Sequence, residues 1–437
     1  MTTDKHALTN APLSADTAVE SPFPPALLAR IRERFHYVDH CPYAGRRIFF
    51  ENAGGSLTLR SVVEHSASVA GIPDNEHRDN AASRALTAIV EQGRADLASF
   101  FGATGGVIFG GETGTECLFR LIRTAALATP DGGSVVASTL EHPATYDATA
   151  VWAERTGRER VEIPFDTATG MVTAEDYARH VRPDTRMATV IHTSPVTGMR
   201  MDLAEIAAAI RRIAPECWII VDGIQHAPHG SLSVDTYGVD GYVVSLYKAY
   251  SKFNNGYAWV SERMSVLPHD RLRGKPEQAW ELGSRDPAAL AAASEVVDYL
   301  DWLGGQFTES DDRRSRLLAA GEAMQAQERY LMHHLLHGAE GLPGLCDYAN
   351  VRVIADPDSP ARESVVSFAV EGMDAKRIVA AFGERGIRIH ARSNDVFSGN
   401  ILRPLQLESV ARVSLAHYNT VDEVTSFLRA WRDIQST

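Results

Sequence analysis

Lysine is scarce in this 437-residue chain. Of the 43 Lys and Arg residues, five are lysines: Lys5, Lys248, Lys252, Lys275 and Lys376. A lysine amine can lose its proton and condense with an aldehyde as a Schiff base, whereas arginine stays charged. Lys248 closes Ser245-Leu-Tyr-Lys248, directly after the apolar run Tyr-Val-Val, and a strand end is where an α/β protein presents groups to a ligand. With strand period 2, Ser245 and Tyr247 fall on one side, so both hydroxyls would reach one phosphate. Lys252 is the rival amine. It stands beside Phe-Asn-Asn-Gly and reads as a loop cation.

Three more segments suit the parts of a phosphorylated pyridine aldehyde. Phe109-Gly-Gly-Glu-Thr-Gly-Thr-Glu116 sets Thr113 and Glu116 at capping-box spacing, ahead of the apolar Leu118, Phe119, Leu121 and Ile122. Free N–H groups and the positive end of a helix dipole would there face a phosphate. The segment is neither GxGxxG nor a Walker-type loop, so dinucleotide and nucleoside-triphosphate readings lose support; a tight strand-to-helix turn is the plainer alternative. In Glu141-His142-Pro143 the proline suits a first helical turn. His142 would then lie over a ring and move protons, or simply hydrogen-bond within its loop. Asp222, in Val221-Asp-Gly-Ile-Gln-His226, ends an apolar run, and a buried carboxylate is costly unless paired. A pyridinium N–H is a suitable partner that keeps the ring an electron sink, with Gln225 donating to its 3′-oxygen. Metal ligation by Asp222, His226 and His229 is the rival reading. It is weakened because all three lie in one loop without a helical His-x-x-x-His face.

The framework for these pieces is legible in apolar runs at 106–110, 134–138, 160–164, 187–192, 217–222, 242–245 and 256–260. They alternate with helix-like stretches at 113–128, 143–156, 173–181 and 202–213. That alternation predicts a mostly parallel sheet covered on both faces. Two further helices are expected at 286–303 and 311–337, then strands at 351–354, 364–370, 387–390 and 410–415 with helices near 374–384 and 421–433. The expected division is a flexible arm (1–25), a large domain (26–310) whose N-terminal segment meets the small one, and a small α+β domain (311–437). A formal charge of −13 argues against nucleic-acid binding and gives no reason to expect an anionic membrane. No apolar run approaches the ~18 residues of a membrane span, and residues 1–25 show no signal-peptide pattern. Four scattered cysteines, Cys41, Cys117, Cys217 and Cys346, form no CxxC pair and fit a reducing, cytoplasmic setting, with Cys117 and Cys217 as buried thiols.

Taken in order, Phe50-Glu-Asn-Ala-Gly54, Thr115-Glu116, Glu141-His142, Asp222-x-x-Gln225, Ser245-x-x-Lys248 and Ala411-Arg-Val-Ser-Leu-Ala-His-Tyr-Asn-Thr420 resemble one family. It is the class V aminotransferase group of fold-type I pyridoxal 5′-phosphate (PLP) enzymes, which includes cysteine desulfurases and isopenicillin N epimerase. The match covers most of residues 48–435. The resemblance implies a mostly parallel seven-stranded sheet with helices on both faces and a smaller α+β C-terminal domain. It implies PLP on Lys248, Asp222 at the ring nitrogen, His142 stacked on the ring and Gln225 at the 3′-oxygen. Gly114, Thr115, Ser245 and Tyr247 would bind the phosphate. Arg412 would grip the substrate α-carboxylate bidentately, and Asn52 would face the substrate. Ser284 would reach the neighbouring subunit's phosphate, which implies a homodimer.

Two departures bear on the reaction. Ile389-His-Ala-Arg-Ser-Asn-Asp-Val-Phe-Ser-Gly399 lacks the sulfur-accepting cysteine of desulfurases, so persulfide formation is not expected. Pro195, in Thr193-Ser-Pro-Val-Thr-Gly198, stands where the family often has an asparagine touching the cofactor. The implied activity is that of an enzyme binding a small α-amino acid through an imine. C–S or C–C chemistry at Cβ is favoured, as in a lyase or decarboxylative aldolase, with His390, Arg392 and Asp395 as candidates for recognising a second substrate group. Epimerisation, transamination and an inactive PLP-binding scaffold are the alternatives.

Overall fold

The computed structural model describes residues 21–436. Most of the expected arm, residues 1–20, therefore lies outside the described residues. Phe23 is buried, with its ring 5.5 Å from that of Phe307. The chain then enters through α1 (Pro25–Arg32), a short strand β1 (Ile48–Phe49), α2 (Arg60–Ala70) and α3 (Ala81–Phe101).

Seven strands build the central sheet: β2 (Val107–Gly111), β3 (Ser134–Ser138), β4 (Glu159–Ile163), β5 (Thr185–Ile191), β6 (Trp218–Asp222), β7 (Gly241–Ser245) and β8 (Gly256–Val260). Their spatial order is β2-β8-β7-β6-β5-β3-β4. Only β8 runs antiparallel to its neighbours. Strands β3, β6, β7 and β8 are buried at every position, as their continuous Val, Ile and Ala content requires of a sheet covered on both faces. The connecting helices are α4 (Gly114–Ala128), α5 (Pro143–Arg155), α6 (Ala174–His180) and α7 (Leu203–Ile213). Each starts on a side-chain cap, from Thr113, His142, Thr173 and Asp202 respectively.

After α8 (Pro287–Gly304) comes α9 (Arg313–His337), which belongs to two cores. Its Leu317, Ala320 and Met324 join the core around the large sheet, whereas Leu331, Leu335 and Leu336 join a second core. That second core covers an antiparallel sheet of order β9-β10-β13-β12, from β9 (Val351–Val353), β10 (Val365–Val370), β12 (His390–Ser393) and β13 (Ser409–Ser414). Helices α10 (Ala375–Gly383) and α11 (Val421–Gln435) complete it. The expected strand at 387–390 is two strands. Ile387–Arg388 (β11) pairs with β1, and the chain then switches sheets at the fully buried Ile389 to form β12.

Helices α2 and α3 were not evident from sequence periodicity, and both lie against α8. Gly93 lets α3 approach α8 closely, because a Cβ there would sit 2.8 Å from Leu290 Cβ.

Candidate active site

Asp222 is the last residue of β6 and is buried. Its Oδ1 accepts the Ile224 N–H at 3.0 Å. Burial pushes this carboxyl upward, while that N–H and the Lys248 charge hold it down. Lys248 stands three residues beyond β7, in a turn closed by its own N–H donating to the Ser245 carbonyl at 3.1 Å. Strand periodicity therefore ends at Ser245 and does not set the direction of Tyr247, whose ring stacks on Phe253 at 4.7 Å. Lys248 is 8% exposed, and its Nζ donates to Gln225 Oε1 at 3.0 Å. Burial, then the nearby Arg412, depress the affinity of this amine for its proton; the Asp222 carboxylate partly offsets them.

The expected phosphate end is built by α4. Thr113 Oγ1 accepts the Glu116 N–H at 3.1 Å, as the N-cap spacing predicts. The reciprocal half of the box is displaced by one residue, since Glu116 Oε2 accepts from the Glu112 N–H. The Gly114 N–H donates to Ser245 Oγ at 3.0 Å, and Thr115 is exposed at the open end of the helix. Any Cβ on Gly114 would lie 2.4 Å from Ile224 Cδ1 and 2.5 Å from Ser245 Oγ, so a larger residue would have to displace those side chains. Ser284 is exposed on a separate loop.

His142 is the N-cap of α5, and its Nδ1 accepts the Ala144 N–H at 3.2 Å, which places the imidazole proton on Nε2. Burial, then Lys248, Arg392 and Arg412, push its pKa down to about 3. Sequence reasoning passed over Glu141, which is fully buried beside it. Its Oε1 accepts the Ile191 N–H at 2.9 Å and Oε2 has no partner. Burial, then the Asp222 charge, push Glu141 up to about 8, so it carries a proton at neutral pH. The Glu141-His142 motif was visible, but not that β5 and β6 would close over the glutamate.

On the small-domain side, Arg412 is buried and donates to the Pro195 carbonyl at 2.9 Å, so the position that lacks a side-chain donor contributes its main chain. In the β12–β13 register His390 lies opposite Arg412 and Arg392 opposite Val410. Arg392 and Arg412 are therefore diagonal neighbours on one sheet face. The Nε atoms of both arginines are buried without partners. His390 and Asn52, by contrast, are engaged elsewhere. His390 Nδ1 lies 2.9 Å from Glu51 Oε1. Asn52 Nδ2 donates to the Ser414 carbonyl (2.8 Å) and to Asn419 Oδ1 (3.4 Å), and its Oδ1 accepts from Tyr418. The amide of Asn52 thus ties the N-terminal segment to the small domain and leaves no hydrogen free for a substrate. His226 and His229 face Glu363 and Glu328, at 2.6 and 2.9 Å. Among the described residues no three His, Cys, Asp or Glu side chains are arranged to hold a metal, and no helix is long and apolar enough to cross a membrane.

One amine, one carboxylate at a strand end, a neutral imidazole and a tightly packed glycine at a helix start with hydroxyls converge here. This donor set fits a phosphorylated pyridine aldehyde. Comparison with known proteins agrees. The model of the family Aminotransferase class-V matches residues 48–274 and 317–427. Similar curated proteins include the aminotransferase-like protein FGM3 of Gibberella zeae, 27% identical over 88% of this chain and 94% of that one. Another is the cysteine desulfurase-like protein ustD of Aspergillus flavus, 27% identical over 88% and 86%. Among solved structures, a cysteine desulfurase from Thermococcus onnurineus superposes with a TM-score of 0.78 at 18% identity, covering 95% of this chain and 98% of that chain.

Proposed function

Because this chain belongs to the class V aminotransferase family of PLP-dependent enzymes, we propose that it acts at Cβ of a small α-amino acid bearing a second acidic group. The observation that carries this reading is the diagonal pair Arg412 and Arg392, with unpartnered buried Nε atoms and both depressing the protonation of Lys248 and His142. Two guanidinium groups in a desolvated corner repel one another and the Lys248 ammonium. A guest with two acid groups relieves both costs, one carboxylate pairing with each arginine.

When bound, PLP supplies an aldehyde for the lysine amine and a ring that withdraws electrons from the substrate. The chain's residues divide the remaining work. Lys248, its proton affinity lowered by burial and Arg412, would be the attachment point and the base that moves a proton at Cα. Asp222 holds the ring nitrogen's proton, and His142 offers a neutral face to the ring. Gly114, Thr115 and Ser245 would hold the phosphate. Arg412, itself held by the Pro195 carbonyl, anchors the α-carboxylate, which disfavours its loss; Arg392 takes the second acid group at Cβ.

Several relatives carry the name cysteine desulfurase. Against persulfide formation here stand the cysteine-free stretch 389–399 and the absence of any cysteine after Cys346.

The test is a screen of the purified holoprotein with aspartate, cysteine and cysteine sulfinate, with and without aldehydes, following the cofactor's visible band and the products. The expected outcome is turnover of an acidic donor with its Cβ group lost or replaced. Inversion at Cα, or a keto acid with aminated cofactor, would replace this reading by epimerisation or transamination. Silence toward every acidic and sulfur-bearing donor would remove it.

A further inference from the structure

Behind Lys248 runs a line of buried hydrogen bonds that the proposed chemistry leaves unused. Lys248 Nζ donates to Gln225 Oε1 (3.0 Å), Gln225 Nε2 faces His229 Nε2 (3.1 Å), and His229 Nδ1 faces Glu328 Oε2 (2.9 Å). Ser364 Oγ lies 3.0 Å from the same Nδ1 and donates to Glu328 Oε2 at 2.8 Å. Gln225, His229, Glu328 and Ser364 are all at most 3% exposed. They come from three places: the loop after β6, helix α9 where it passes between the two cores, and the residue preceding β10.

The donor and acceptor roles along this line are not independent. A carboxylate oxygen only accepts, so the His229 proton belongs on Nδ1. Nε2 is then a bare acceptor, which requires the Gln225 amide nitrogen to face it. The amide oxygen must consequently face Lys248. One amide hydrogen remains for a ligand atom on the cofactor side. We propose that Glu328, acting through His229, fixes which end of the Gln225 amide is presented to Lys248, and is a positioning residue for the site 23 residues along the chain from Gln225. The inference rests on Lys248 as the attachment lysine and is independent of the substrate.

The arrangement is pH-sensitive. A second proton on His229 would turn Nε2 into a donor and favour the reversed amide. Burial lowers the proton affinity of His229, as does Lys248, but Glu328 and Glu363 outweigh them, and the net direction is upward from the ordinary 6.5. His417 feels its charge. A cavity of about 20 Å³ lined by Arg200, His229, Glu328, Arg329 and Glu363 touches the pair from the small-domain side, and its size admits roughly one water molecule. Glu328 Oε1 and Glu363 Oε2 have no protein partner.

The experiment has two readouts. In wild-type protein carrying 15N-histidine, a pH series is expected to show the neutral ring of His229, reached on the alkaline side of its raised pKa, with a protonated Nδ1 and a bare Nε2. In holoprotein, E328L is expected to shift the pH midpoint of the cofactor's visible band downward by about half a unit or more, since the lysine nitrogen's protonated form loses its acceptor. E328Q retains an acceptor oxygen and should shift it less. A neutral ring with its single proton on Nε2 in the wild type overturns the proposal, as does an E328L holoprotein with an unmoved midpoint. If E328L fails to fold, the wild-type resonances decide alone. They are readable in cofactor-free protein, so failure of the lysine assignment or of the substrate reading is distinguishable.

Discussion

A buried amine flanked by two guanidinium groups is unfavourable until an anion arrives, and this shapes what single substitutions should do. Arg392→Met should lower kcat/KM for an acidic donor at least about 30-fold, in line with the loss of one partner of a desolvated charge pair, and leave an amino acid with an apolar side chain nearly unaffected. Steady-state kinetics on both substrates checks it; equal losses would move Arg392 to the α-carboxylate. Glu141 offers a different handle, because its folded-state pKa of about 8 exceeds the ordinary 4.5. Between those values the folded protein keeps a proton that the unfolded chain has lost. The stabilising contribution is therefore complete below about 4.5 and is lost as pH rises through about 8. Glu141→Gln, which cannot ionise, should show a smaller fall in Tm between mildly acidic and mildly alkaline pH than the wild type. A calorimetric pH series with parallel curves would show that Glu141 is not held protonated.

Elements decide whether such residues meet at all. The start of α4 is the tightest constraint, because Gly114 has no room for a methyl group beside Ile224 and Ser245. Gly114→Ala should weaken cofactor retention at least about 10-fold, since a displaced helix terminus loses its phosphate donors; Thr113→Ala should cost only about 1 kcal/mol of stability through its cap. Cofactor titration and denaturant unfolding separate the two effects. These local features were readable in the chain, as were the strands flanking Asp222 and Lys248, because buried parallel strands are continuous apolar runs. What was not readable depends on pairing at a distance. Arg392 and Arg412 become neighbours only through the register that sets His390 opposite Arg412, and Glu141 meets Asp222 only because β5 and β6 lie side by side. Asn52 looked available for a substrate until Ser414, Asn419 and Tyr418 claimed its amide. The period-2 argument carried Tyr247 onto a strand that stops two residues earlier.

At the scale of the molecule, the site lies where two cores meet, and α9 contributes to both. The loops on either side of β8 carry exposed apolar side chains: Phe253 is 71% exposed, Leu272 58% and Leu282 45%. Lys252 and Asp286, 3.7 Å apart, link the loop of Phe253 to the loop of Ser284. Large exposed apolar side chains of this kind are what a second copy of the chain would cover. We propose, on the family resemblance, a homodimer in which Ser284 reaches the partner's phosphate; these exposed side chains would suit such an assembly, and it predicts linked losses. Sedimentation should give twice the chain mass. A Leu272→Asp, Leu282→Asp double substitution should yield monomers that also release PLP. Ser284→Ala should remain dimeric and bind PLP about 10-fold more weakly, the order expected for one hydrogen bond to a charged group. A monomer that holds the cofactor as tightly as the wild type would show that each chain completes its own site, and the role assigned to Ser284 would fall with it.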